Sequence, residues 1–254
     1  MRSGSAGGAP AVPATYDGVD AEALRLRTGA AAVELLDSVG SVLDVAHARA
    51  AAGAPGGLLV LADRQTAGRG RQGRVWHSPV GAGVYLAALL RPKVRPFGGA
   101  IAVRVGLALV GAVEEAAPGA SPWLKWPNDM MVANRKAGGV LCEARWTGPS
   151  QGWIALGIGV NLRGPVAEEL KGRAIALGEV APGMTRVELL EVLVPRLWRL
   201  AERPSALAED EREAFRQRQW VDPAGEDEPV GVDGDGALLV RMPDGSLDRR
   251  VMPA

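Results

Sequence analysis

Gln65-Thr66-Ala67-Gly68-Arg69-Gly70-Arg71-Gln72-Gly73-Arg74, followed by Val75 and Trp76, is the stretch whose residue types most plainly suit chemistry. Four arginines fall within residues 64–74, and from Arg64 to Lys93 there are six cations and no Asp or Glu. Glycines at 68, 70 and 73 allow positive φ and close approach of the backbone to a ligand. Guanidinium forks and backbone amides together make a cradle for carboxylates and phosphates. By composition alone the loop fits a solvated basic surface or an RNA contact equally well.

Two further segments carry polar groups where packing does not demand them. Lys125-Trp126-Pro127-Asn128-Asp129 leads into Arg135-Lys136-Ala137-Gly138-Gly139-Val140-Leu141-Cys142-Glu143. Pro127 predicts an extended Trp126. Asn128 and Asp129 then sit at a turn where a carboxylate could face a metal-bound phosphate, and Lys136 is a mobile point charge beside two glycines. A plain surface hairpin is the alternative. The third segment, Gly157-Ile158-Gly159-Val160-Asn161-Leu162, ends a strand with small residues and one amide.

Taken together and in this order, the GRGRxGR loop, the KWPND block, the lysine before a Gly-rich strand and the GxGxN strand end resemble the biotin protein ligases. The resemblance covers about residues 35–165 and extends weakly to the C-terminus; the related lipoate ligases share the fold but lack the arginine loop. It implies formation of biotinyl-5′-adenylate from biotin and ATP with Mg²⁺, then transfer of biotin to a lysine of a biotin carboxyl carrier domain. By the same resemblance Arg69 and Arg71, with the Gly70 backbone, screen the meeting of two anions. Lys136, beside Gly138, contacts biotin and the adenylate oxygens, and Gln65 takes the biotin end. Asn128, Asp129 and Asn161 line the nucleotide side, with Asp129 as the metal-facing carboxylate. Ser41-Val42-Leu43-Asp44 matches the first biotin-binding helix, although the family's Thr hydroxyl is missing at Val42. Trp76 could cover adenine or biotin.

Other residues call for blander roles. His47 and His77 have no second ligand at metal spacing. Cys142, the single cysteine, reads as a small buried hydrophobe and fits a reducing compartment. Trp123, Trp126, Trp153, Trp198 and Trp220 read as packing anchors.

These side chains need a scaffold, and the sequence outlines one. A helix is expected from Asp20 to Ala32, and a second from Ser41, with Asp44 as capping partner, to Gly53. Strands are expected at Leu58–Ala62, Val84–Leu90, Val140–Glu143 and Trp153–Val160, the last two joined by a turn at 147–150. Ile101, Val105, Ala108, Leu109, Ala112 and Val113 mark an amphipathic helix over 98–117. Thr185 and Glu188 open a late helix running through Leu200, with a kink expected at Pro195. Past Trp220, Asp-Gly turns announce short strands.

The expectation is an α+β fold, a mixed sheet packed with helices, of the class II synthetase and biotin-lipoate ligase type by resemblance. Residues 20–209 form the catalytic domain, 210–254 a small SH3-like β-barrel, and 1–19 a disordered tail. The 34 glycines and 18 prolines among 254 residues, about a fifth, fall short of the roughly 25–30% of low-complexity chains. Charge balances at 29 against 29, which disfavours a dedicated DNA-binding protein. About 20 residues between tail and Ser41 are too few for the winged helix of a biotin-binding repressor. Without an apolar run of about 18 residues or a signal peptide, a cytoplasmic protein with no membrane partner is expected. A lipoate- or octanoate-type acyl transferase is the alternative enzyme, and the oligomeric state, a homodimer included, stays open.

Overall fold

The computed structural model describes residues 15–96, 98–147, 151–164 and 166–252. Seven strands form one sheet: β1 (Ala32–Val39), β2 (Leu58–Gln65), β3 (Gly83–Leu90), β4 (Trp123–Lys125), β5 (Asp129–Val132), β6 (Arg135–Thr147) and β7 (Gln151–Asn161). Their order is β1-β2-β3-β7-β6-β5-β4. β1 and β2 run parallel and the remaining neighbours antiparallel.

Period-two alternation assigns the two faces of this sheet. On β3, Val84, Leu86, Ala88 and Leu90 join the main core with α1 (Ala21–Thr28), α3 (Gly98–Ala116) and α4 (Arg186–Trp198). Ala87 and Leu89 point the other way, into a smaller cluster beneath α2 (Val42–Ala51). The stripe expected over 98–117 is buried at Ile101, Val105, Leu109, Ala112 and Val113, and the Thr185/Glu188 capping box forms as the sequence predicts. Pro195 lies inside α4, which continues to Trp198.

Several expectations need correction. The first helix stops at Gly29, which takes φ +65°, so Ala32 begins a strand that helix-favouring residues had masked. Parallel pairing to β2 through the α2 crossover overrides that local preference. The Ser41/Asp44 capping box does not form: Val42 N–H donates instead to Gln65 Oε1 at 3.0 Å, and the Asp44 carboxylate binds Arg69. Trp123, expected as a packing anchor, is 45% exposed. The 147–150 turn falls mainly outside the described residues.

Residues 1–14 also lie outside them, but of the residues assigned to the tail Tyr16 is buried in the main core and Val19 packs against it. Tyr16 is 2% exposed and its ring lies 3.9 Å beneath the Arg186 guanidinium. Arg186 donates to Asp17 at 2.6 and 3.0 Å and to Asp63 at 2.5 Å. Burial pushes the Asp17 carboxyl up, yet the Arg186 hydrogen bonds and the Arg186 and Arg163 charges outweigh it and hold it below the usual carboxylate range. The folded state thus binds this proton more weakly than the unfolded chain does. Its stabilisation is complete above about pH 4 and lost as pH falls through the folded value. Asp17→Asn is expected to cost about 1.5–3 kcal/mol at pH 7. In urea titrations the gap to wild type should narrow below pH 4; a gap independent of pH would remove Asp17 from the acid response.

The chain beyond residue 209 does not begin as a separate unit. α5 (Glu209–Arg218) buries Phe215 completely in the main core, and Arg218 pairs with Glu114 of α3 at 3.0 Å. β8 (Glu228–Val232), β9 (Leu238–Arg241) and β10 (Leu247–Arg250) then form a three-stranded antiparallel sheet ordered β10-β9-β8. Its β8–β9 turn presses onto the start of α3, where a Cβ on Gly99 would sit 2.5 Å from the Asp235 carbonyl oxygen. Trp126 Nε1–H donates to the Gly236 carbonyl at 2.9 Å, tying this sheet to the KWPND block.

Candidate active site

The sheet face beneath α2 opens into a cavity of about 870 Å³ lined by residues from all four motifs. Gly157, Ile158 and Gly159 of β7 and Gly139 and Leu141 of β6 form its floor. Small residues are needed there because neighbours descend onto the backbone. A Cβ on Gly157 would lie 2.9 Å from Leu43, and one on Gly159 only 2.4 Å from the Trp76 ring. Gly159→Ala is expected to push the indole out of the cavity wall, an overpacking cost of about 1–3 kcal/mol that should appear as a lower midpoint in urea unfolding. A wild-type midpoint would show that the Trp76 ring is not packed on Gly159.

At the α2 end stand Ser41, Val42, Leu43 and Gln65. Ser41 is 1% exposed, and its Oγ has no hydrogen-bond partner among the described residues. An orphaned buried hydroxyl on a cavity wall is costly unless a ligand or water completes it. Gln65 spends its amide internally, accepting from Val42 N–H and donating to Ser78 Oγ at 2.9 Å, so it braces this end rather than offering a free group. Val42 is buried among Leu43, Val60 and Ala62.

At the opposite end Lys136 Nζ lies 2.7 Å from Asp129 Oδ1 and 5.4 Å from the centre of the Trp76 ring. Arg71 faces the same space; burial lowers its guanidinium value and Arg74 adds to this, while Asp129 opposes. Asn128 Nδ2 donates to the Val140 carbonyl at 2.7 Å and pins the KWPND turn to β6. Asn161 reaches the Ile175 carbonyl at 3.4 Å. The Trp126–Pro127 peptide is cis. Trp76 closes the wall, with its Nε1 buried and unpartnered among the described residues.

Arg69 and Gly70 line the cavity as expected, but Arg69 is held by this chain's own carboxylates: Nη1 to Asp44 Oδ1 at 2.5 Å and Nη2 to both Glu143 oxygens at 3.3 Å. Burial would lower its guanidinium value, and those hydrogen bonds and charges raise it instead. Gly138 is not on the wall. It faces the core, where a Cβ would meet Met130 and the Gly159 carbonyl at 3.1 Å, and Gly139, 3.3 Å by the same measure from Lys136, faces the cavity. Glu143 was missed, although alternation from Gly139 through Leu141 points to it. Arg173, on the rim, comes from a loop and carries no sequence signal.

Cys142 in β6 has its thiol pushed up to about 12 by burial, with Arg71 acting the other way, and offers no nucleophile. Among the described residues no three His, Cys, Asp or Glu side chains gather as a metal site. Asp129, the expected metal ligand, is already paired with Lys136. A second, more open depression of about 930 Å³ lies beyond Ala174, but its basic residues Arg135, Arg163 and Lys171 are bound to Glu179, Asp17 and Glu168.

The sequence model of the biotin/lipoate A/B protein ligase family matches residues 45–161. The biotin–[acetyl-CoA-carboxylase] ligase of Paracoccus denitrificans is 34% identical over 230 residues, 80% of this chain and 91% of that protein. This chain belongs to the biotin protein ligase family. The bifunctional ligase/repressor BirA of Bacillus subtilis is 38% identical over 150 residues, so the match spans 46% of that relative's length and 57% of this chain. Among solved structures, the Aquifex aeolicus biotin protein ligase in complex with biotin and ATP superposes with a TM-score of 0.69 at 26% identity, covering 85% of this chain and 94% of that one. No helix among the described residues is long and apolar enough to cross a membrane.

Proposed function

We propose that this chain condenses biotin with ATP to biotinyl-5′-adenylate and then acylates a lysine of a biotin carboxyl carrier domain. The observation that carries the proposal is a single cavity with an orphaned buried Ser41 hydroxyl at one end and Lys136 and Arg71 at the other. A small molecule with a polar head, an apolar body and a terminal carboxylate fits between them. The ureido group of biotin completes Ser41, and Leu43 and the Trp76 ring cover the aliphatic part.

In the first step a biotin carboxylate oxygen forms a bond to the α-phosphorus and pyrophosphate leaves. Two anions must meet, so stabilisation comes from fixed cations aimed at the phosphate oxygens. Lys136 can turn from Asp129 to the ligand, and Arg71 adds a second cation. In the second step the carrier lysine amine attacks the acyl carbon, AMP leaves, and the amine loses its proton. The lone carboxylate Asp129 is too few donors to hold Mg²⁺ by itself. Asp129 would be the carboxylate facing a Mg²⁺, whose chemistry there would be to neutralise phosphate charge. The reading implies a cytoplasmic carboxylase as partner.

Incubation with labelled biotin, ATP, Mg²⁺ and a carrier domain is expected to release pyrophosphate and label the carrier, and lipoate in place of biotin is expected to leave it unmodified. Absence of biotin-dependent pyrophosphate release would refute the proposal.

A further inference from the structure

We propose that His47, its tautomer set by Trp153, is a positioning residue that holds Arg69 in the cavity wall through Glu143. This rests on the ligase reading for its effect on rate, while the clamp itself is a property of the ligand-free chain.

The chemistry of the donors dictates the direction of the relay. Trp153 Nε1 lies 2.9 Å from His47 Nδ1, and an indole N–H can only donate. His47 Nδ1 therefore carries the lone pair and Nε2 the proton, which it donates to Glu143 Oε2 at 2.9 Å. His47 is 4% exposed on the inner face of α2, so water does not compete for either ring nitrogen. Glu143, oriented from one side, presents both oxygens to Arg69 Nη2, and Asp44, one turn before His47 on the same helix, takes Nη1.

Arg69 needs such a clamp because the short turn at Arg71–Gly73 and the backbone bonds of its loop hold the main chain but not the guanidinium. Among the described backbone bonds the loop is held by Gly70 N–H to the Arg74 carbonyl, Arg74 N–H to the Arg71 carbonyl and Trp76 N–H to the Gly68 carbonyl. Exposed ion pairs contribute little by themselves, and the 60%-exposed Asp44 cannot fix a guanidinium alone. The buried imidazole makes Glu143 a rigid partner instead. None of His47, Glu143 and Trp153 was expected to act at the site.

The test compares His47→Gln, His47→Leu and Trp153→Phe, with and without Arg69→Ala. Gln retains both bonds in the same sense, its carbonyl accepting from Trp153 and its amide donating to Glu143, whereas Leu fills the space and makes neither. In biotin-dependent pyrophosphate exchange, His47→Leu and Trp153→Phe are expected to lower kcat roughly ten- to a hundredfold with little change in the KM for biotin. His47→Gln should stay near wild type, and in the Arg69→Ala background His47→Leu should add no further loss, because residues acting as a unit are non-additive. Equal losses in both backgrounds, or His47→Gln no better than His47→Leu, would overturn the proposal. Tryptic cleavage after Arg69 in the ligand-free protein supplies a readout independent of activity: it should accelerate in His47→Leu and Trp153→Phe but not in His47→Gln. Unchanged cleavage in His47→Leu and Trp153→Phe would overturn the clamp even if wild type lacked ligase activity, and Trp153→Phe carries the comparison should His47→Leu fail to fold.

Discussion

Lys136→Ala is expected to lower biotin-dependent pyrophosphate exchange by about two to three orders of magnitude, the usual cost of removing one charge-stabilising donor. Two effects add at this position. The cation that would face the α-phosphate is gone, and Asp129, 2.7 Å from Lys136 Nζ in the intact protein, is left as an unneutralised anion in a cavity that must accept anions. Folding should be nearly unaffected, because the pair is about a quarter to a third exposed and such bridges contribute no more than about 1 kcal/mol. Near wild-type exchange in Lys136→Ala would remove this lysine from the mechanism.

The largest stability effect is expected far from the cavity. Arg104 of α3 is 3% exposed and donates to both Glu211 oxygens at 2.9 Å and to the carbonyls of Pro204 and Ala206 at 2.7 and 2.5 Å. Arg104→Met takes its main partner from a largely buried carboxylate and leaves two carbonyls unpaired, a loss of about 3 kcal/mol. Replacing both partners, Arg104→Met with Glu211→Leu, should restore much of it, since the penalty lies in the unpaired charge. Burial pushes the Glu211 carboxyl up, but Arg104, the Ala208 N–H and Arg203 outweigh this and hold it below its usual range. The wild-type contribution is thus present above about pH 4.3 and fades as pH falls through the folded value. In urea unfolding the difference between wild type and Arg104→Met should shrink with acidification. A loss under about 1 kcal/mol at pH 7 would mean that this site relaxes or admits water instead of burying an unpaired charge.

The same pair explains why the boundary expected at residue 209 misreads the chain. The Asp-Gly turns do announce strands, but the preceding segment EDEREAFRQR looks like a solvated charged helix. Its Phe215 and Glu211 are recruited by α3 more than a hundred residues upstream, and local composition carries no record of that pairing.

What could be read in one dimension was whatever short-range physics decides. The stripe of α3, the Thr185/Glu188 cap, the short apolar runs of β3 and β7, and the residue types of the four motifs all depend on neighbours within one or two turns. Those motifs also sufficed to suggest the family and to bring Arg71, Asn128, Asp129, Lys136 and Asn161 to one cavity. Tertiary structure decided the partners. Gln65 instead of Asp44 meets the start of α2, Gly139 instead of Gly138 turns to the cavity, β1 becomes a strand by pairing with β2, and Arg69 is claimed by Asp44 and Glu143 with His47 behind them. Each of these choices matches a donor, an acceptor or a strand edge to one of several chemically similar candidates. The energies separating such candidates come from which groups the folded sheet brings within hydrogen-bonding distance, across 23 to 96 residues of chain.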